Sequence, residues 1–542
     1  MKGKVMKKIQ YIFATLILGL SLSACGDSFL TQYPEGATLL DEQYQTLPDK
    51  LEGALLGIYS KIYEYGGHGT FGKRSIDMYG DFQSGDMAMK NCNYGWFETY
   101  ERGLFYAYAR SYIWSFYYDI INLTNICDVA IENDLKAILD AMSSGEEPSE
   151  EIALNGYYYG QILALRGWSY SGLLDVYTDP RDVKVADLEE YAVPVYVGTD
   201  IKAGTLGAPL SSVSEVYDRV YEDLSEAIEL LDFYGQYVQR GSKLEVDADV
   251  ARLMLAYAML NHGDKNTKII TGKNAYDIAL AQAKAVIDGG RYPMLTREKL
   301  TTTGFADSQS ENWMWAEEVT VENTTALGSF FGQVDIHTYS YAAAGDTKGI
   351  DSKLYDDIVN KGWDARAKWF RSGETKEFPY CPDGKFYCPK TKNTTDLNKV
   401  DREWLCDQVF MRVESAYLIA AEAAWSNGDN VTAVNYLKRL CDERVIEGKE
   451  ADYNTWLSSL GSSNAVKEAI IYNWRVEMWG EGYALQTLRR LAKTVTLGKN
   501  HLSRADKQIN IDGSDREMFQ CEIPTSEYRY NPELSKTTLT EE

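Results

Sequence analysis

The sequence predicts a mostly α-helical protein in which the helices are interrupted by two long irregular segments. Apolar residues recur at i, i+3, i+4 and i+7 over residues 112–123, 162–176 and 216–231, which is the spacing of one helix face. Residues 65–103 and 301–402 instead mix glycines, acids, amides and aromatics without a regular period. Irregular segments of this length often carry function. With 542 residues, 45% of them hydrophobic, the chain can form a large core around these segments.

Two later stretches predict pairs of helices joined by short turns. In the second pair, Asn427-Gly428-Asp429 forms the turn, with Gly428 placed to end one helix and Asp429 placed to cap the next. Alanines on the facing sides allow the two helices to approach closely. Such pairs resemble tetratricopeptide units, although no period of 34 residues runs through the chain. The pairs join residues 250–258 to 276–287 and residues 413–424 to 433–441.

The N-terminus predicts an exported and lipid-anchored protein. A lysine-rich start is followed by an apolar run over residues 11–22, too short for a membrane span of ~20 apolar residues and typical of a signal peptide. Leu22-Ser23-Ala24-Cys25 resembles a bacterial lipobox, so we predict a signal peptide over residues 1–24 and lipidation of Cys25. The alternative is a plain secretory signal followed by a chance cysteine. We expect a polar tether over residues 25–47 and a single body over residues 48–542.

Composition limits the partners and cofactors. A formal net charge of -25 disfavours nucleic acid as a partner and suits a neutral ligand better than an anionic one. The four histidines are far apart in sequence and lack HExxH spacing, and the cysteines show no zinc framework. We therefore predict no metal and no cofactor. Cys381 and Cys388 could pair across a short loop, but free or buried thiols are the more probable state for a core this large.

The irregular segments hold candidate ligand-binding residues. A sugar ring presents an apolar face that packs on aromatic rings and a rim of hydroxyls that bonds acids and amides. We expect the two segments to converge on one ligand face, and we expect short strands in 301–402 with Trp313 and Trp315 in the core. The candidates are Tyr79, Asp81, Asn93, Tyr94 and Trp96 in the first segment and Tyr339 and Tyr341 in the second.

Several separate blocks, taken in order, resemble the SusD/RagB family of outer-membrane glycan-uptake lipoproteins. The resemblance spans almost the whole chain and depends on the order of the blocks, because none is specific alone. The blocks are Cys25-Gly26-Asp27-Ser28-Phe29-Leu30, Leu165-Arg166-Gly167-Trp168, Gly290-Arg291-Tyr292-Pro293, Glu311-Asn312-Trp313, Asp364-Ala365-Arg366, residues 412–425, Leu488-Arg489-Arg490 and Ile523-Pro524.

This resemblance implies a SusD-like, mostly α fold with tetratricopeptide-like helix pairs and a loop-rich irregular subregion. It implies a partner, a SusC-like TonB-dependent outer-membrane barrel, over which the protein sits as a lid. It also implies capture of an oligosaccharide, or of a peptide in some relatives, at the outer membrane and without chemistry.

Two other classes of function remain open on the sequence. There is no GxSxG, Walker A, GxGxxG or EF-hand motif, and we expect no enzyme activity. Carboxylates are plentiful, however, so an all-α surface glycosidase is one alternative. A tetratricopeptide-type scaffold that binds protein segments is the other.

Overall fold

Helices dominate the part of the chain that the computed structural model describes. That part comprises residues 49–103, 107–178, 192–198, 207–263, 274–324, 327–392, 405–510 and 520–534. The helices are α1 (Asp49–Ile62), α2 (Lys73–Ser84), α3 (Glu98–Glu101), α4 (Ala107–Ala130), α5 (Glu132–Ser144), α6 (Glu150–Tyr177), α7 (Val213–Tyr234), α8 (Ala248–His262), α9 (Ala275–Gly289), α10 (Phe330–Val334), α11 (Ser352–Asn360), α12 (Glu414–Ser426), α13 (Asn430–Asp442), α14 (Glu450–Ser458), α15 (Ser463–Glu477), α16 (Ala484–Arg490) and α17 (Thr525–Tyr530). The predicted signal peptide, Cys25 and the tether lie outside the described residues.

The long helices pack on one another in sequence order. Helix α4 packs on α6, α6 on α7, α7 on α8, α8 on α9, α9 on α12, and α12 on both α13 and α15. Glycines on α6 permit one close approach, since a Cβ at Gly160 would come within 2.8 Å of Leu231 Cγ on α7. The same interface buries an ion pair in which Arg166 Nη2 lies 2.8 Å from Asp223 Oδ1. Most of these long helices thus pack on the helix that precedes or follows them in the series.

Both predicted helix pairs are confirmed, together with the turn and the cap predicted for the second pair. The first is α8 and α9, and the Asp247 side chain caps α8 by accepting a hydrogen bond from the backbone N–H of Val250 at 2.9 Å. The second is α12 and α13. Gly428 lies between them with φ of 84°, in the left-handed region, and Asp429 accepts a hydrogen bond from the Thr432 N–H at 3.0 Å.

Short strands connect the irregular segments to the helices. Strand β1 (Met87–Met89) pairs antiparallel with β3 (Lys348–Ile350), β2 (Trp313–Glu317) with β4 (Gln408–Arg412), and β5 (Val495–Thr496) with β6 (Gln508–Ile509). Short strands within 301–402 were expected and are present. Trp313 and Trp315 in β2 are buried, as predicted for core residues. The β1–β3 pair joins the two irregular segments directly.

A buried cluster of charges ties the second irregular segment to the helical body. The Glu477 carboxylate lies 2.8 Å from Arg412 Nη1, 2.8 Å from Arg444 Nη2 and 3.0 Å from Arg366 Nη1. Burial alone would raise the pKa of Glu477, but Arg444 and Arg412 hold this pKa well below its usual range. Lys385 Nζ lies 2.7 Å from a carboxylate oxygen of Glu481. Because each of these charges is paired, the interior tolerates them.

The cysteine side chains and the apolar character of the helices are two further features of the described part. The seven cysteines of the described part are free thiols, and Cys381 and Cys388 are both buried. No helix within the described ranges has the length and apolar character needed to cross a membrane.

Candidate ligand-binding surface

Rings from both irregular segments meet at one place on the surface. We call Tyr65, His68, Tyr94, Trp96 and Tyr341 the aromatic surface. Tyr65 and Tyr94 are 50% and 59% exposed, and the other three side chains are half-buried. A cluster of exposed rings of this kind offers flat apolar area with polar edges, which suits a ligand that is itself amphipathic.

His68 and Tyr341 lie at the centre of the aromatic surface. The ring centroids of His68 and Trp96 are 5.2 Å apart, and those of His68 and Tyr341 are 5.4 Å apart. Tyr94 meets Tyr341 edge to face at 5.2 Å. The Tyr341 hydroxyl lies 3.1 Å from His68 Nδ1, and the Tyr65 hydroxyl lies 3.4 Å from His68 Nε2. These ring contacts and hydrogen bonds hold the side chains of the surface against one another.

The turn that carries Tyr94 and Trp96 is held by a carboxylate from the other segment. Asp346 Oδ1 accepts hydrogen bonds from the backbone N–H groups of Asn93 at 2.5 Å and Tyr94 at 2.9 Å. The Asn93 amide donates a further bond to the Ala344 carbonyl at 3.0 Å. These bonds extend the junction that begins at the β1–β3 pair. They explain how residues some 250 positions apart in sequence form one surface.

Phe97 anchors the other end of the same turn. Its φ of 68° is left-handed, a costly conformation for a residue with a side chain, and its ring is buried against Phe82 and Tyr79. Because Phe97 points into the core, the preceding Trp96 lies on the outer side. Gly69 lies directly under Trp96, since a Cβ there would be 3.7 Å from Trp96 Cε3.

Two of the sequence candidates lie in the core instead. Residues 73–84 were expected to be irregular but form α2, and the Tyr79 and Asp81 side chains are on its buried faces. Tyr79 donates a hydrogen bond to the Gly69 carbonyl and stacks on Tyr100 with centroids 4.2 Å apart. Burial raises the pKa of Asp81 well above its usual range. Neither side chain is available to a ligand on the aromatic surface, so we leave both out of the proposed site.

The other candidates lie at or near the surface, and two neighbours were not predicted. Asn93 is exposed but uses its amide for the turn, and Tyr339 is 43% exposed two residues before Tyr341. Tyr65 and His68, which also belong to the aromatic surface, were not among the candidates from the sequence. A histidine flanked by glycines in a segment without helical period was the available signal.

A buried histidine supports the same region from below. His501 Nδ1 lies 3.0 Å from Glu101 Oε1, and His501 Nε2 lies 3.1 Å from Asp351 Oδ2. Glu101 ends the short helix α3 that follows Trp96, and Asp351 follows strand β3 directly. Burial lowers the pKa of His501, but the hydrogen bonds with Asp351 and Glu101 outweigh burial and raise this pKa above its ordinary value.

The chemistry on this surface suits binding. Across the described ranges, no group of three or more histidine, cysteine or acidic side chains is placed to hold a metal ion. The groups that face outward are aromatic rings, the tyrosine hydroxyls and the His68 imidazole. Together they provide stacking area and hydrogen-bonding edges.

Several solved structures of Bacteroides proteins have the same fold. A SusD-like carbohydrate binding protein from Bacteroides vulgatus is 22% identical, with 90% of this chain and 97% of that chain covered and a TM-score of 0.66. A SusD superfamily protein from Bacteroides thetaiotaomicron is 19% identical, covers 90% and 99%, and gives a TM-score of 0.67. A SusD superfamily protein from Bacteroides fragilis gives 18% identity, the same coverage and the same score. The protein therefore has the mostly α, SusD-like fold.

Comparison of the sequence with family models agrees with the comparison of the fold. Residues 337–537 match the family model that describes the SusD family, a range that includes Tyr341, Asp346 and the buried charge cluster. Comparison with curated proteins gives no significant match. The match over residues 337–537 and the shared fold make this protein similar to SusD-like proteins, as the sequence blocks indicated.

Proposed function

We propose that this protein is a cell-surface lipoprotein that captures oligosaccharides on its aromatic surface. The meeting of Trp96 and Tyr94 with His68 and Tyr341 carries the proposal. Aromatic rings can stack on the C–H faces of sugar rings, while tyrosine hydroxyls can bond sugar hydroxyls. The fold supports it further, because one neighbour with this fold is described as a carbohydrate binding protein.

The same proposal includes a membrane anchor and a transporter. Lipidation at Cys25 would hold the body at the outer membrane, facing the cell exterior, because each buried methylene of an acyl chain contributes ~0.8 kcal/mol. The family resemblance supports a SusC-like TonB-dependent barrel as the partner that receives the captured sugar. In this proposal the protein acts as a lid and performs no chemical conversion.

A calorimetric screen of oligosaccharides tests the binding step. A soluble form that begins at Gly26 should bind at least one class of oligosaccharide and should release no reducing sugar from it. Binding of peptides in place of sugars would overturn the choice of ligand. Release of reducing sugar would support the glycosidase alternative.

Two experiments on the full-length protein test the proposed membrane anchor and the proposed transporter partner. Mass spectrometry of the membrane-extracted protein should find acyl chains on an N-terminal Cys25, and an unmodified N-terminus would contradict the anchor. Mild detergent extraction should recover the protein with one outer-membrane barrel. Recovery with many unrelated soluble proteins would favour the scaffold alternative.

A further inference from the structure

A second concave site lies beside the aromatic surface, on the β1–β3 pair. It has a volume of about 440 Å³, within the range of small-ligand sites. Ala88 pairs with Gly349 across the two strands, and both line its floor. Since alternate strand residues face opposite sides, the buried Met87 and Met89 point into the core, away from the side of Ala88.

One wall of this site is a turn held in a costly conformation. Phe378 and Tyr380 have φ values of 51° and 66°, both left-handed. The Ile350 N–H donates a hydrogen bond to the Tyr380 carbonyl at 3.0 Å, which fixes the turn to strand β3. A Cβ at position 349 would lie 2.7 Å from that carbonyl oxygen, so Gly349 is required for the approach. Backbone strain of this kind is commonly retained where a ligand is held.

The site is lined by two lysines and one glutamate, which leaves a net positive charge on its described lining. We call it the lysine pocket, after Lys90 and Lys376, which line it together with Asn91 and Thr347. Both lysines are exposed, and neither forms an ion pair within the described ranges. The acidic side chain among the described lining residues is Glu377. In a chain with a net charge of -25, this is a local excess of positive charge.

The lysine pocket and the aromatic surface share a boundary. Asn91 and Gly345 line the pocket, while Asp346, the neighbour of Gly345, holds the N–H groups of residues 93 and 94. Asn91 precedes Tyr94 by three residues, a distance of at most ~11 Å along an extended chain. One oligosaccharide can therefore reach from the rings of the aromatic surface into the pocket.

We propose that the ligand of this protein is an acidic oligosaccharide whose anionic group binds Lys90 and Lys376. This inference rests on the proposed function and narrows its ligand class. A carboxylate of a uronic acid or a sulfate ester accepts charge-assisted hydrogen bonds from ammonium groups. Asn91 and Thr347 are placed to bond neighbouring hydroxyls. The two lysines thus favour an anionic ligand, whereas the net charge of the whole chain suggested a neutral one.

A binding panel with matched variants tests the inference. The soluble protein is titrated with neutral, uronate-containing and sulfated oligosaccharides, each at low and high salt. The unaltered protein should bind an acidic class best, with affinity that falls as salt rises. The double variant K90Q/K376Q should lose about tenfold or more of that affinity and most of its salt dependence. The uronate and sulfate arms identify which anionic group is recognised.

Control variants separate this inference from the proposed function. K136Q/K284Q removes two exposed lysines from α5 and α9 and should bind as the unaltered protein does. Trp96→Ala should weaken the binding of every oligosaccharide in the panel. If Trp96→Ala weakens binding but K90Q/K376Q does not, or if a neutral sugar binds best, the inference is overturned and the proposed function stands. If no oligosaccharide binds, both are overturned.

Discussion

The Asp346 carboxylate accepts a hydrogen bond from the backbone N–H of Tyr94 at 2.9 Å, across 252 positions of sequence. The same oxygen accepts a second bond from the Asn93 N–H. This single side chain therefore fixes the turn of one irregular segment against the other. Its neighbours Gly345 and Thr347 line the lysine pocket, so Asp346 connects the pocket with the aromatic surface.

Asp346→Ala should loosen the turn that carries Tyr94 and Trp96. Two backbone N–H groups would lose their charged acceptor, and hydrogen bonds to charged groups contribute ~1.5–3 kcal/mol each. We expect faster amide hydrogen exchange over residues 91–97 and weaker binding of oligosaccharides. Asp346→Asn keeps one oxygen acceptor and should show a smaller change. Unaltered exchange in the alanine variant would show that other contacts hold the turn.

His501 should make stability depend on pH in a defined direction. Its pKa is raised in the folded protein, so its stabilising contribution is fully present below the unfolded pKa of ~6.5. That contribution is lost as the pH rises through the folded pKa. The slope for one proton is at most ~1.4 kcal/mol per pH unit.

Urea denaturation between pH 5.5 and 8.5 measures this effect. The free energy of unfolding of the unaltered protein should fall above pH 6.5 relative to that of His501→Asn, which has no titrating ring between Glu101 and Asp351. Parallel pH profiles for the two proteins would rule out the His501 linkage.

Glu477→Gln should destabilise the protein strongly. The glutamate lies between Arg366, Arg412 and Arg444, and removing one partner of a buried ion pair typically costs ~3–5 kcal/mol. Glu468→Gln is a matched control on the same helix, because Glu468 pairs with Lys493 at the surface and such pairs contribute below ~1 kcal/mol. Chemical denaturation of both variants measures the difference. Equal stabilities would mean that Glu477 does not hold the cluster together.

Two glycine variants should change stability in opposite directions. Gly428→Ala forces a side chain into a left-handed conformation, which costs ~1–2 kcal/mol. Gly53→Ala lies within helix α1, where a Cβ meets nothing within 4 Å, and should add ~0.5–1 kcal/mol. Thermal melts of the two variants compare the effects. A gain in stability for Gly428→Ala would contradict the assigned turn between α12 and α13.

The sequence predicted the helix pairs because their signals are local. Gly428 and Asp429 mark the turn, and the apolar stripe of each helix lies within a few turns of its caps. Residues 73–84 escaped prediction because α2 is buried on most sides. Its buried residues include polar ones such as Arg74, Asp81 and Gln83, so the segment lacks the apolar stripe that marks a helix in the sequence.

The candidate site could be predicted only in part, because it depends on contacts between distant segments of the chain. Tyr94, Trp96 and Tyr341 meet because Asp346 and the β1–β3 pairing bring distant segments together, and pairing over such distances leaves no local pattern. Composition alone could not separate the exposed Tyr94 from the buried Tyr79. The lysine pocket could not be predicted from the sequence either, because Lys90 and Lys376 are far apart in the chain.

Calorimetry on Trp96→Ala tests the central claim most directly. The titrant is the oligosaccharide that binds the unaltered protein best, and Trp425→Ala is the control, because Trp425 is a half-buried indole on α12, far along the chain from the aromatic surface. If Trp96 stacks on a sugar ring, its loss should weaken binding by ~1–3 kcal/mol, while Trp425→Ala leaves binding unchanged. Equal affinities for Trp96→Ala and the unaltered protein would contradict the aromatic surface as the binding site.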